Sequence, residues 1–424
     1  MDTASHAHHL DELYRTCVHC GLCLQTCPTY RELGYEMDSP RGRIRQVMLV
    51  DTGQLQLGPT VVTHLDRCLA CRACETVCPS GVKYGQIIEA ARVRIEREYR
   101  RPLFARMARR AGYATIADFG RLARTARLLR WYQRSGLQRL VRGSGVLRAL
   151  GIERLESMAP AIDSDFFFRE FGKVFPAEGA RRARVAFLAG CIAGVAFSEL
   201  NRATVRVLQR NGVEVWVPPA QGCCGALHVH AGLAEEAQKM AQRNIEAMLR
   251  DDVDAIVTNA AGCGTTTKEY GSLLCGDSQW SERARLFSAK VRDISEFLIE
   301  LGPVAPGTKL AARVTYQDPC HLAHGQRVRS APRELLRLAA GEFLEMPRAD
   351  SCCGSAGVYN VSENQLSMQI LEAKMKDVAS VQADVLATAN VGCMLQLRAG
   401  VARRGVHMKV QHVVEVLDEA YRAE

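Results

Sequence analysis

Eight cysteines of this chain fall on one ruler. CVHCGLCLQTCP runs from Cys17 to Pro28 and CLACRACETVCP from Cys68 to Pro79, and both read C-x2-C-x2-C-x3-C-P. Three thiolates at i, i+3 and i+6 wrap one face of a cubane iron–sulfur cluster, and a fourth must come from elsewhere. Where two such runs occur together, the fourth cysteine of each ligates the other cluster. On that logic Cys17, Cys20, Cys23 and Cys78 hold one 4Fe–4S cluster, and Cys68, Cys71, Cys74 and Cys27 hold a second. Pro28 and Pro79 turn the chain away after each crossing ligand. The alternative is structural zinc, which favours separate C-x2-C pairs over a triple run ending in C-P. Arg67, Arg72 and Lys83 stand among these thiols. Each reads first as surface charge, and second as a counter-charge that would raise a cluster's potential.

Nine further cysteines follow other spacings. Cys191 precedes Cys223-Cys224-Gly225 by 31 intervening residues, and Cys320 precedes Cys352-Cys353-Gly354 by the same 31. From Cys224 to Cys263 there are 38 intervening residues and from Cys353 to Cys393 there are 39, both ending in Gly-Cys. Three offsets reproduced to within one residue mark a duplicated module of four thiols. Cys275 has no counterpart and is read as a bystander.

The elements that must position these thiols can be read from the flanking residues. Apolar, β-branched runs precede the cysteines: RVAFLAGC, VEVWVPPAQGCCG and VDAIVTNAAGC, then ARVTYQDPC, FLEMPRADSCCG and ADVLATANVGC. Helical stretches such as AEEAQKMAQRNIEAML and ENQLSMQILEAKMKDVAS lie between them. Strands alternating with helices predict a parallel α/β sheet, whose ligands gather beyond the carboxyl ends of the strands. Each copy should therefore collect its four thiols at one pole. The predicted architecture is a multidomain α+β / α/β chain. A helical, ferredoxin-type two-cluster domain (1–90) precedes an arginine-rich helical linker (91–182). Two copies of a Rossmann-like α/β module follow (183–305 and 306–424). The stretch between the two opening motifs, with Arg41, Gly42 and Arg43, is expected to add helices. The longest apolar run, Ala189–Phe197, is expected as buried strand and turn.

The totals bound the setting. Seventeen cysteines in 424 residues, with an odd count, clustered spacing and a polar MDTASHAHHLDELYR start, point to metal in a reducing compartment rather than to disulfides. No stretch approaches 18 consecutive apolar residues, the length expected of a membrane span. A cytoplasmic chain, peripheral at most on the inner face of the membrane, is the expectation. Charge is uneven. Ala91–Leu150 holds 16 arginines, no lysine and only Glu96, Glu98 and Asp118 as acids, within a chain of net charge +9. Leu122, Leu129, Tyr132 and Leu140 are expected to share a helical face there, with Gly136 interrupting. Such a segment suits a membrane interface, an acidic partner or a solvated linker. Arginine without lysine and with few aromatics supplies no stacking platform for nucleic acid.

The order of these parts resembles the glycolate oxidase iron–sulfur subunit family. The segments CRACETVCPSGVKY, GCCGALHVHAG, AAGCGTTTKEYG, DSCCGSAGVYN and TANVGCMLQL carry the resemblance. It implies an electron-transfer subunit with no catalytic residue of its own. FAD-containing partner subunits would oxidise glycolate or a similar 2-hydroxy acid, and electrons would pass on to quinone or the membrane chain. That fits a sequence with neither a G-x-G-x-x-G opening a helix nor a Walker loop. The Cys-Cys-Gly pair also resembles anaerobic glycerol-3-phosphate dehydrogenase and heterodisulfide reductase subunits. The latter carry five cysteines per module, ending in C-x2-C. Here Cys263 and Cys393 lack the fifth thiol, which speaks against disulfide-reducing chemistry. Cys191, Cys223, Cys224 and Cys263, and likewise Cys320, Cys352, Cys353 and Cys393, are candidates for a further cluster in one or both modules, or for inert buried thiols. His228, His230, His321 and His324 lie close by. A lone histidine is more often a hydrogen-bonding residue than an iron ligand, and His321, next to Cys320, is the strongest exception.

Overall fold

The computed structural model describes residues 10–149, 151, 156 and 159–423. Its N-terminal part is helical. Pro28–Leu33, Pro40–Asp51 and Pro59–Asp66 fill the stretch between the two cysteine runs, each opening on the proline that suits a first helical turn. The long helix Tyr84–Glu98 then packs back on Pro40–Asp51. Ile44, Val47, Leu65, Ile87, Ile88 and Ile95 form a small core with Cys68 and Cys74 at its edge.

Two sheets follow. The first is ordered β1-β3-β2-β4-β5 and the second β7-β6-β8-β9. The first contains β1 (Val174–Phe175), β2 (Ala183–Leu188), β3 (Val213–Trp216), β4 (Ala255–Thr258) and β5 (Val291–Asp293). The second contains β6 (Leu310–Tyr316), β7 (Ala340–Leu344), β8 (Val385–Thr388) and β9 (Lys409–His412). Apart from the short antiparallel β1, every pairing is parallel, and β3-β2-β4-β5 matches β7-β6-β8-β9 strand for strand. The duplication seen in cysteine offsets is thus a duplication of topology.

The two modules meet helix against helix. The first helix of module one, Ser198–Arg210, packs on the last helix of module two, Val413–Arg422. The last helix of module one, Ile294–Leu301, packs on the first of module two, Ser330–Ala339. One apolar core runs through both, from Phe187, Leu200 and Val207 to Leu335, Val413 and Leu417. Arg206 closes the seam on Asp418 at 2.7 Å.

Two local expectations change. Ala189–Phe197 is a buried turn followed by a helical turn at Ala193–Ala196, not strand. In the linker, Gly136 adopts a left-handed φ of 82° and ends the helix Phe119–Arg134, so Leu140 sits on a separate helix, Leu137–Gly143, and is exposed. The inward face of Phe119–Arg134 is instead Leu122, Ala123 and Ala126.

Candidate metal centres

The two opening motifs enclose two cavities, and each cavity mixes residues of both runs. One is lined by Cys27 from the first run and Cys68, Cys71 and Cys74 from the second. The other is lined by Cys17, Cys20 and Cys23 with Cys78 of the second run, and Cys74 reaches its wall as well. The structure therefore brings together the two crossed sets of four. They differ in depth: Cys27, Cys68, Cys71 and Cys74 are buried, whereas Cys20 is exposed and Cys17, Cys23 and Cys78 are partly so.

The donor chemistry fits iron–sulfur clusters. Burial pushes Cys23 up to about 11 and holds Cys71 and Cys74 well above the ordinary thiol range, the thiols nearby adding repulsion. Left alone, such thiols stay protonated; a metal centre is what makes them thiolates. Among the described residues, no three Cys, His, Asp or Glu side chains converge on a point that a single ion could occupy. The thiols stand around cavities instead, which suits a multi-iron group better than one tetrahedral zinc. Two donors already point at the Cys68 sulfur: Tyr84 Oη and the Ala70 amide both reach its Sγ at 3.4 Å. Cys27 Sγ lies 3.3 Å from Thr29 Oγ1, whose own proton goes to the Asp38 carbonyl at 2.7 Å.

Arginines wall the deeper cavity. Arg43 is fully buried: it donates to the His64 carbonyl at 2.7 Å and to Thr29 Oγ1 at 3.0 Å, and pairs with buried Asp38 at 3.2 Å. The preceding Gly42 is required, since a Cβ there would lie 1.9 Å from the Glu36 carbonyl oxygen. Arg72, read first as surface charge, is buried; Lys83 is exposed, and Arg67 is half-buried against Asp38. Arg72 forks onto Glu269 of module one, with one Nη–O distance of 2.9 Å, and reaches Glu89 at 3.4 Å. Arg92 donates to the carbonyls of Cys68 and His230, the latter at 2.9 Å. Sequence reasoning placed Arg43 and Arg92 only within longer stretches and gave neither them nor Tyr84 a part in the site.

The modules place their thiols beyond the strands as expected. In module one, Cys191 follows β2, Cys223 and Cys224 follow β3, and Cys263 lies in the helix after β4. Cys223 Sγ is 3.9 Å from Cys191 Sγ, and Cys224 Sγ is 3.1 Å from Cys263 Sγ. In module two, Cys352 contacts Cys320 and Cys353, and Cys353 contacts Cys393. Gly225 and Gly354 follow the cysteine pairs with φ of 81° and 87°, a bend that costs glycine little. A Cβ on Gly354 would also meet the Ser367 carbonyl at 2.5 Å. One thiol of each set, Cys223 and Cys353, is drawn well below the ordinary range by its hydrogen bonds with the neighbouring thiols. Cys275 is exposed.

The four histidines divide by their partners. His321 and His324 lie on a single π-helical turn, His321–Gly325, and both face the dicluster loop. His321 Nε2 lies 3.1 Å from the Ala70 carbonyl. His324 Nδ1 lies 2.9 Å from Thr76 Oγ1, and its Nε2 is 3.1 Å from the Asp350 carbonyl. Burial, with His230 and Arg72 adding to it, drops His321 to about 3, so it is a neutral hydrogen-bonding residue. The His230 ring lies 4.9 Å from that of His321, tilted by 40°, and its imidazole is 3.2 Å from Glu89. His228 is buried edge-on to Tyr113 of the linker.

Module two also shares apolar packing with the dicluster loop. Leu69, Cys71 and Ala73 form one buried cluster with Cys352, Tyr359, Leu366 and Ile370, and Cys320 packs against it.

Comparison with known proteins follows the same division. Residues 14–82 match the model of a 4Fe-4S dicluster domain, residues 185–268 and 314–398 each match a cysteine-rich domain, and residues 105–162 match the glycolate oxidase iron-sulfur subunit linker region. A probable glycolate oxidase iron-sulfur subunit of Bacillus subtilis is 42% identical over 95% of this chain and 93% of its own length. The glycolate oxidase iron-sulfur subunit of Escherichia coli is 33% identical over 98% and 96%. A lactate utilization protein A of Geobacillus kaustophilus is 32% identical over 55% of this chain and 98% of its own. With its dicluster cavities, paired thiol poles and linker matched over nearly the whole length, the chain belongs to the glycolate oxidase iron–sulfur subunit family.

Proposed function

We propose that this chain relays electrons from a flavin-containing partner, which oxidises glycolate or a similar 2-hydroxy acid, toward quinone or another acceptor of the membrane chain. Bound 4Fe–4S clusters would supply one-electron transfer. Cys17, Cys20, Cys23 and Cys78 would hold one, and Cys27, Cys68, Cys71 and Cys74 the other. The observation that carries this reading is the pair of adjacent cavities, each walled by three cysteines of one run and one of the other.

The surrounding residues support a direction. The shallow site exposes Cys20 beside Val18 and Leu22, an apolar rim through which a partner protein can approach. Arg43, Arg72 and Tyr84 keep water from the deep site and set positive charge and a hydroxyl against its thiolates. Cys71 then abuts the thiol pole of module two. In this reading the eight module cysteines would hold a further cluster in one or both poles, and the chain works in the cytoplasm at the inner face of the membrane.

The test is anaerobic iron and sulfide quantification with EPR on the wild type and on a Cys223→Ser/Cys353→Ser variant. Eight irons in both would confine clusters to the dicluster domain; fewer than eight in the wild type would sink the dicluster assignment. The isolated chain should show reducible centres and no glycolate turnover, with turnover restored by the flavin partner.

A further inference from the structure

We infer that the outward face of the linker helices is a docking surface for an anionic lipid bilayer. This deepens the peripheral location in the reading above by naming the face that makes it. The helix Phe119–Arg134 turns Leu122, Ala123 and Ala126 inward, against the core that includes Phe166 and Phe168. Its outward side carries Arg121, Arg124, Leu128, Trp131 and Arg134, with Leu128 69% and Trp131 63% exposed. The next helix presents Leu140, 72% exposed, beside Arg139. The preceding helix, Leu103–Ala117, begins with Leu103, Phe104 and Met107 in the open beside Arg106 and Arg110, and Phe104 is 84% exposed.

Charge decides what covers these side chains. The three acids of Ala91–Leu150 are engaged within the fold: Glu96 holds Arg101 and Arg109, Glu98 holds Arg94, and Asp118 accepts from the Arg121 amide at 2.7 Å. Glu156 in turn holds Arg142 at 2.8 Å, so among the described residues the charge left on this face is guanidinium, set among exposed apolar side chains, and its occupant is anionic with an apolar interior. A cavity of about 500 Å³ beside it is lined by Arg127, Arg130, Arg169, Ser164, Phe119 and Phe166. Asp165 holds Arg169 at 2.6 Å, and Arg127 lies over Phe166 at 5.8 Å. Arg130 Nε is buried there with no hydrogen-bond partner. Guanidinium forks match phosphate oxygens. Tryptophan, phenylalanine and leucine set among them are the side chains that enter the headgroup region. A lipid phosphate at Arg127 and Arg130, with Trp131, Leu128 and Leu140 in the acyl boundary, satisfies both features at once.

The test floats the full-length chain with phosphatidylcholine vesicles, with and without phosphatidylglycerol. Binding is expected only with phosphatidylglycerol, weakening as salt rises. Arg127→Gln/Arg130→Gln should weaken it about thirtyfold, at the usual contribution of a basic residue near an anionic surface. Leu128→Gln/Trp131→Gln, whose side chains are exposed and leave the fold intact, should weaken it about tenfold. Arg283→Gln/Arg285→Gln, the same charge change on an exposed helix of module one, should not. Absence of binding, equal binding to neutral vesicles, indifference to both linker variants, or retention by duplex DNA or polyglutamate in place of vesicles each overturns the surface. A chain that keeps its iron–sulfur absorption yet ignores vesicles overturns this surface alone, whereas one that floats without binding iron overturns only the relay.

Discussion

The two cysteine-rich modules share strand order, thiol spacing and a left-handed glycine after each cysteine pair, yet they meet the dicluster domain by different physics. Module one is held by charge: Arg72 lies between Glu269 and Glu89, and Arg92 donates to His230. Module two is held by neutral hydrogen bonds from His321 and His324 and by the apolar cluster around Cys71 and Cys352. Interiors differ as well. Asn244 braces the first cysteine pair, bonding the Gly222 amide at 2.8 Å and the Cys223 carbonyl at 3.0 Å. Seven residues after Ser367, which meets Gly354 as Ala237 meets Gly225, module two has buried Lys374 instead, bonded to the Arg348 and Ala349 carbonyls. Duplication preserved the pole, and the flanks made the copies unequal: a dry contact suits electron passage, a charged clamp suits alignment.

The largest break in this comparison should come from Cys71, which touches both sides. Cys71→Ser should abolish electron delivery to quinone in the complete complex, measured with the flavin partner present; unimpaired delivery would remove the deep site from the relay. Glu269→Gln comes next. It leaves buried Arg72 with Glu89 at 3.4 Å and with Glu75 close by, and because Glu269 is itself 40% exposed the loss should be about 1 kcal/mol. A denaturant midpoint unchanged from wild type would show the clamp to be idle.

The module-end caps offer a pH contrast. Asp293 and His412 are both fully buried, and each caps the last helix of its module. Burial raises Asp293 from 3.8 to about 7, so its carboxyl is protonated more readily in the fold than in the unfolded chain. Its contribution is complete below pH 4 and is lost as pH rises toward 7. Burial lowers His412 from 6.5 to about 4, so its contribution is complete above pH 6.5 and is lost as pH falls toward 4. Asp293→Asn, which keeps a cap, should remove a slope of roughly 1 kcal/mol per pH unit between pH 4 and 7. Thermal melts across that range check it, and an unaltered slope would contradict the assignment. His324→Ala should cost about 1 kcal/mol, the ordinary loss of a hydrogen bond, and leave module one untouched. Smallest of all, Cys275→Ser, which alters the one cysteine without a counterpart, should shift stability by less than about 0.5 kcal/mol and leave the EPR spectrum unchanged.

Much of this was legible in the sequence. Cysteine spacing led to the expectation that Cys27 joins the second run and Cys78 the first, and it revealed the duplicated module, while the apolar runs before the cysteines gave that module its sheet. Thiols leave that trace because their geometry is imposed by short local offsets. Arg72 left none: in CRACETVC it looks like any exposed arginine, and its burial depends on Glu269, 197 residues away. The roles of His321 and His324 were hidden for the same reason. The face expected from Leu122 to Leu140 failed because Gly136 divides it between two helices.

The lid over the deep cavity has a consequence for the order of manufacture. His321 bonds Ala70 across 251 residues of chain, and Tyr359, Leu366 and Ile370 cover Leu69 and Cys71 from still further along. A ribosome completes the eight-cysteine segment long before it reaches these residues, and domains form from the N-terminus as they emerge. For most of translation the deep cavity is therefore an open socket. In the finished fold His321, Tyr359, Leu366 and Ile370 cover that side of the cavity.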